Sequence, residues 1–282
     1  RAPGTKGGKL TKEYLVKKLK EFSLSPINNK YLLQVPLVEI EMEKNSNVSI
    51  SYQDKEIHLK QGKEIVYWSK ILESNIKLSP SDLVFVGYGI VAPEYDWNDY
   101  KDLDMKGKIA VVLINDPGFA TNNADLFNGR SMTYYGRWKY KYEEAARQGA
   151  EGVLIIHETE PAAYPWQVVE TSWLGKQIDL DRRNVLQNKV KLESWITFEL
   201  ANKLFEFSGL NLKELSKKAA SKKFESVRMN NLALSANLFN NYNFIESHNV
   251  AAVKKGLLYP NEYLLMMAHW DHLGVKDLGE DK

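Results

Sequence analysis

Apolar and polar positions along the chain fall into three successive textures. In the first, Leu15, Val16, Leu19 and Phe22 recur at helical spacing, which predicts an amphipathic helix capped by Thr11 and running to about Phe22. Residues 1–10, RAPGTKGGKL, read as a glycine-rich loop before it, and Lys12, Lys17, Lys18 and Lys20 read as its solvated face. From Tyr31 to Leu59 the period drops to two, as in Val48, Ile50 and Tyr52 and then Ile57 and Leu59. That period predicts antiparallel strands with one wet face.

A second texture starts after Ser79-Pro80-Ser81. Leu83–Val86 and the continuous run Ile109–Ile114 read as strands covered on both faces. Trp138–Gln148 has helical composition and ends at Gly149, and Val153–Ile156 is a further buried strand. Strand, helix and strand at this spacing predict a βαβ unit of right-handed crossover. Residues 198–208 and 212–223 read as two helices joined at Gly209; Lys217, Lys218, Lys222 and Lys223 form their solvated surface. In the third texture alternation returns over Val227–Leu238 and Val250–Val253. Pro260-Asn261 then turns the chain into Tyr263–Ala268, six apolar residues that read as a central strand.

Composition narrows the chemistry. The 282 residues include 38 basic and 36 acidic side chains, 44% hydrophobic residues and no cysteine. Global disorder is excluded by the apolar content, and the near-balanced charge supplies no basic stripe for nucleic acid. Without cysteine there is no disulfide framework, thiol nucleophile or thiolate metal site. Any metal must therefore sit on His, Asp or Glu. No apolar run approaches the ~18 residues of a membrane span. The chain opens on Arg1 with no signal-like hydrophobic start, so it reads as processed or trimmed.

The chemistry-bearing cluster is His269-Trp270-Asp271-His272, directly after the apolar run. In open α/β sheets, ligand and metal sites gather at carboxyl ends of strands. His269 would offer a neutral imidazole nitrogen to zinc. Asp271, two residues on, would accept the other ring N–H and so fix the tautomer. His272 would point elsewhere. A lone histidine at a strand end is usually a hydrogen-bonded structural residue, which is the reading for His58, His157 and His248. The cluster after an apolar run is what favours metal here. A β-lactamase-like His-x-His-x-Asp-His site is disfavoured because Met267 stands at its first histidine, and a thioether does not replace imidazole for zinc.

These residues resemble a family. Ala268-His269-Trp270-Asp271-His272-Leu273-Gly274 is similar to the first zinc motif of metallopeptidase family twenty-eight, the co-catalytic zinc aminopeptidases and their carboxypeptidase relatives. Arg1–Thr5 resembles the family's opening segment, and Ser247-His248-Asn249-Val250-Ala251-Ala252-Val253 its preceding strand. Phe85–Gly89, Asp104–Ile109, Glu143–Ala146 and Gly149–Leu154 together resemble an inserted protease-associated (PA) domain.

The resemblance implies an α/β fold: an incomplete, doubly wound mixed-sheet zinc exopeptidase domain interrupted by a PA-type insert. Its expected divisions are residues 1–74 (peptidase domain), 75–228 (PA-like insert) and 229–282 (peptidase domain, continued). It also implies His269 as a zinc ligand, Asp271 as the catalytic-site carboxylate that orients it, and two zinc ions in the complete enzyme. The substrate would be a peptide cleaved at its N-terminal residue by metal-activated water, in a periplasmic or secreted protein. The bridging aspartate, glutamate base and second histidine that such chemistry needs have no motif here; Asp277, Glu280 and Asp281 read as solvated charges. This chain alone is therefore expected to be inactive. Two other readings remain: a non-catalytic, receptor-like PA-domain relative, and a mononuclear metallohydrolase. Trp97, Tyr100, Trp138 and Tyr140 could form a peptide-binding surface on the insert, although core and loop packing is their simpler reading.

Overall fold

The computed structural model describes residues 1–184 and 188–272. In chain order its elements begin with α1 (Lys6–Glu21), β1 (Ser25–Pro26), β2 (Leu32–Met42), β3 (Asn47–Tyr52), β4 (Lys55–His58), β5 (Ile65–Trp68) and β6 (Asn75–Phe85). Next come β7 (Val91–Ala92), β8 (Trp97–Asn98), β9 (Ile109–Leu113), α2 (Pro117–Thr121), α3 (Trp138–Arg147) and β10 (Gly152–Ile156). The rest are α4 (Thr159–Ala162), α5 (Trp166–Trp173), β11 (Gln177–Leu180), β12 (Leu192–Ile196), α6 (Phe198–Phe207), α7 (Leu212–Ala219), β13 (Val227–Val250) and β14 (Ala252–Val253). The structure is mixed α/β, with both parallel and antiparallel strand pairs. It divides into two compact units. One comprises residues 1–39, 178–183 and 243–282; the other comprises 40–177 and 184–242. β2 and β13 contribute residues to both units.

The larger unit, residues 40–177 and 184–242, holds the apolar core. β6, β9, β10 and β12 lie parallel in that order; β5 closes one side antiparallel to β12, and β13 runs antiparallel to β6. Alternation assigns the two faces of these strands. Ile109, Val111 and Leu113 join Leu154, Ile156, Leu204 and Phe205, so α6 and α7 cover one face. Ala110 and Val112 join Val153, Ile155, Tyr142, Ala145 and Val169, so α3 and α5 cover the other. Strands buried on both sides must be apolar at every position, which is why β9 and β10 read as unbroken apolar runs. Trp195 is buried completely; burial of such a side chain contributes on the order of 2–3 kcal/mol.

The βαβ unit expected over 109–156 is present, with β9 and β10 paired in parallel and α3 between them. α3 stops one residue before Gln148, and Gly149 takes φ +84°. The expected helix pair forms α6 and α7. Thr197 and Asn211 cap them by accepting from the amides of Leu200 and Glu214. Ser79-Pro80-Ser81 does not break the chain: it lies within β6, with Ser79 and Pro80 exposed and Ser81 buried, opposite an irregularity in the pairing with β13 at Leu234–Ala236. Proline lacks the donor that a regular ladder needs, so an irregular register is where a strand accepts it.

In the smaller unit α1 begins earlier than the periodicity implied. Thr5, not Thr11, caps it, and the Thr5 side chain accepts from the amide of Gly8 at 3.1 Å. Gly7 and Gly8 thus lie inside the helix despite their low propensity. β1 pairs with β14 through Ser25 and Val253. β11 neighbours β2, with the Asp181 amide bonded to the Pro36 carbonyl at 3.0 Å. The Arg183 guanidinium stacks 3.5 Å from the ring centre of Phe244. Among the described residues of this unit, Val38 is the only large apolar side chain in the buried core.

Tyr263–Ala268 is a correction to the sequence reading. The segment forms no strand, and Tyr263 through Met267 are 75–91% exposed. A strand apolar on both faces requires a hydrogen-bonded neighbour and cover on each side. No described strand pairs with this one, so its composition alone does not produce the ladder.

Candidate functional site

The two residues assigned to zinc chemistry do come together. Asp271 Oδ1 stands 3.4 Å from His269 Nδ1. The His269 side chain is 94% exposed, and the Asp271 side chain is half exposed. With Nδ1 turned to a carboxylate, Nε2 is the nitrogen left to accept a proton or a metal. The i, i+2 spacing accounts for the pairing, because residues two apart in an extended chain project to the same side.

Trp270 points into a different environment. Its Nε1–H donates to the carbonyl oxygen of His248 at 3.0 Å. The Lys12 ammonium lies 5.7 Å from the centre of its ring, within cation–π range. Gly8 is the buried residue of α1, and a Cβ there would stand 3.3 Å from Trp270 Cζ3 and 2.4 Å from the carbonyl oxygen of Ala2. The glycine pair read as loop is therefore a flat place on a helix where two other groups approach closely. The predicted cap at Thr11, six residues past the observed cap at Thr5, hid that meaning. His272 donates its amide to the carbonyl of Arg1 at 3.1 Å, and its Nδ1 is buried with no hydrogen-bond partner among the described residues.

His248, read as structural, is held on both ring nitrogens. Lys12 Nζ stands 3.2 Å from Nδ1, and Glu246 Oε1 stands 3.2 Å from Nε2. Lysine can only donate and an ionised carboxylate can only accept, so the neutral Nε2–H tautomer fits both. Glu246 also accepts from Gln34 Nε2 at 2.6 Å. An open groove of about 540 Å³ runs beside this arrangement, lined by Leu10, Thr11, Tyr14 and Leu15 of α1 and by Ala268, His269 and Trp270.

The remaining sequence candidates resolve into packing. His157 is buried, with Nε2 donating to the carbonyl of Tyr164 at 3.0 Å, and burial holds its pKa below the ordinary imidazole value. Trp97, Tyr100 and Tyr140 are buried, and Trp138 packs edge-on against Trp173 with ring centres 5.0 Å apart. They form no exposed aromatic surface. Asp277, Glu280 and Asp281, with Leu273 and Gly274 of the motif, lie outside the described residues.

A zinc site needs three or four protein ligands. Among the described residues no group of three or more His, Asp or Glu side chains is placed to hold a metal. His269 with Asp271 fits one corner of such a site, and no catalytic step follows from these residues alone. No helix among the described residues is long and apolar enough to cross a membrane.

The sequence matches no family model and no curated protein. Among solved structures the chain is similar to an aminopeptidase from Aneurinibacillus sp. strain AM-1, at 15% identity and a TM-score of 0.39, over 88% of this chain and 42% of that one. It is also similar to a zinc aminopeptidase from Bacillus subtilis, at 14% identity and a TM-score of 0.28, over 86% of this chain and 42% of that one. Similarity this low assigns neither residues nor a reaction to this chain, which spans 42% of the length of each.

Proposed function

We propose that this chain contributes the first ligand motif of a zinc exopeptidase, an aminopeptidase acting on peptide substrates, with a PA-type insert over residues 75–228. The observation that carries the reading is the 3.4 Å approach of Asp271 Oδ1 to His269 Nδ1, beside an imidazole otherwise open to solvent. It supplies the carboxylate–histidine arrangement in which the outer carboxylate sets the tautomer and raises the basicity of the ligating nitrogen. The motif resemblance of Ala268–Gly274 is the second support. When bound, zinc would lower the pKa of a water molecule and polarise a peptide carbonyl. The part of this chain is to hold one imidazole oriented for it, with Nδ1 turned to Asp271 and Nε2 open.

The test is metal analysis with an aminoacyl-anilide assay. Residues 1–282 are expected to take up zinc weakly through His269 and to leave the anilide intact. A longer protein with the remaining ligands is expected to cleave it, and to lose turnover with a chelator and in His269→Ala. Two tightly bound zinc ions with turnover by residues 1–282 alone would overturn the expectation that this chain lacks the remaining ligands. Unchanged zinc uptake in His269→Ala would overturn the ligand assignment itself.

A further inference from the structure

We propose that Trp270 is the positioning residue of the His269–Asp271 pair, locked by a seat made from Gly8, Lys12 and the His248 carbonyl. The inference rests on the reading of His269 as a ligand and adds how that imidazole is held.

His269 and Asp271 flank Trp270 in a segment that belongs to no strand or helix. No ladder fixes its backbone, so its direction must come from side-chain and end contacts. Four such contacts are found among the described residues. The indole N–H of Trp270 donates to His248 O at 3.0 Å, which ties the segment to β13. The indole ring edge lies against Gly8, where the absent Cβ leaves room for it, and the Lys12 ammonium sits over the ring. One residue past Asp271, the amide of His272 bonds to Arg1 O at 3.1 Å.

The seat is itself braced. Lys12 also reaches His248 Nδ1, while Glu246 holds the opposite ring nitrogen and Gln34 holds Glu246. Lys12 thus joins the ring of Trp270 to the residue whose carbonyl accepts the indole. With residue 270 fixed by its ring and residue 272 by its amide, Asp271 has little freedom to swing from His269. Both members of the exposed pair are held from the buried side of the segment. Two glycines inside a helix lower its propensity by roughly 1 kcal/mol each relative to alanine, and the approach of Trp270 and Ala2 gives Gly8 a reason to be retained.

The test reads the tautomer of His269 by imidazole nitrogen NMR at alkaline pH, where the ring is neutral. The native chain is expected to show His269 mainly with the proton on Nδ1, and Asp271→Asn to remove that bias. Trp270→Phe keeps a ring against Gly8 and loses the indole N–H, so the bias should weaken. Trp270→Ala should reduce it to that of a free imidazole, with the signals of His157, which is bonded to Tyr164 outside the seat, unchanged as an internal control. Identical His269 spectra in the native chain and Trp270→Ala would overturn the proposal, as would a native His269 with no Nδ1 bias. Zinc titration of the same samples separates this outcome from the parent reading. Failure of zinc to shift the Nε2 resonance removes the ligand role, whereas a Trp270-dependent tautomer would still establish the seat.

Discussion

Lys141 Nζ donates to the carbonyl oxygen of Tyr88 at 2.7 Å from a side chain that is completely buried. A second bond runs from the same ammonium to the carbonyl of Asn115 at 2.8 Å. α3 thereby ties the turn after β6 to the residue past β9, where Asn115 holds a left-handed φ of +69°. Burial pulls the pKa of Lys141 down, and the carboxylates of Asp99 and Asp116 pull it back up. Donation to two carbonyls also favours the ammonium form. Replacing Lys141 with methionine leaves two carbonyls and two carboxylates without their cation. The expected loss is ~3–5 kcal/mol, the range for breaking a buried charge arrangement at one partner, read from urea unfolding of the chain.

Stability should fall on mild acidification because of His157. Burial lowers its pKa in the folded state, so the unfolded chain binds the proton more readily. As pH drops through the unfolded value of about 6.5, unfolding takes up protons and stability is lost. His157→Gln keeps a donor for the Tyr164 carbonyl without the titration. Thermal scans between neutral pH and about 5.5 should show a smaller decline in that variant; parallel declines would refute the assignment.

The two adjacent glycines of α1 should respond oppositely to alanine. A Cβ at Gly7 would meet nothing closer than 3.4 Å, whereas one at Gly8 would stand 2.4 Å from a backbone oxygen. Gly7→Ala is expected to stabilise by about 0.5–1 kcal/mol through helix propensity. Gly8→Ala should instead displace residues 1–5 and speed amide exchange at His272, whose partner is Arg1. Equal effects of the two changes would show that the Ala2 approach is not maintained in solution.

Removal of the imidazole at His269 should leave folding untouched. The side chain is almost fully exposed, and surface substitutions of this kind stay within about 0.5 kcal/mol. A large drop in melting temperature for His269→Ala would mean that the residue packs, contrary to its exposure. Loss of zinc-induced chemical shifts at unchanged stability is the expected pair of results.

How much of this was legible in the sequence depends on where each contact comes from. β9, α3 and β10 were readable because their apolar spacing and Gly149 are local signals. The start of α1 was not, since Gly7 and Gly8 look like loop until Ala2 and Trp270 are seen against them. β5 and β12 gave no clear sequence signal, with Ile65–Trp68 and Leu192–Ile196 each too short to show a period. Tyr263–Ala268 failed in the opposite sense: its composition is that of a strand, and its environment among the described residues is not. The approach of Asp271 to His269 was readable from their i, i+2 spacing, whereas Trp270 between them gave no hint of a carbonyl twenty-two residues upstream.

The hydrogen bond from the Glu43 amide to the Phe239 carbonyl, 2.8 Å within the larger unit, closes a loop of roughly 200 residues. Closure of a free chain of that length costs about 4–5 kcal/mol of entropy from its logarithmic term. Once that bond has formed the cost is already met, and the contacts beside it, Asn47 opposite Asn237 and the Phe239 amide on Ser46 Oγ, form at high effective concentration. One closure thus serves a whole row of contacts between segments far apart in the chain.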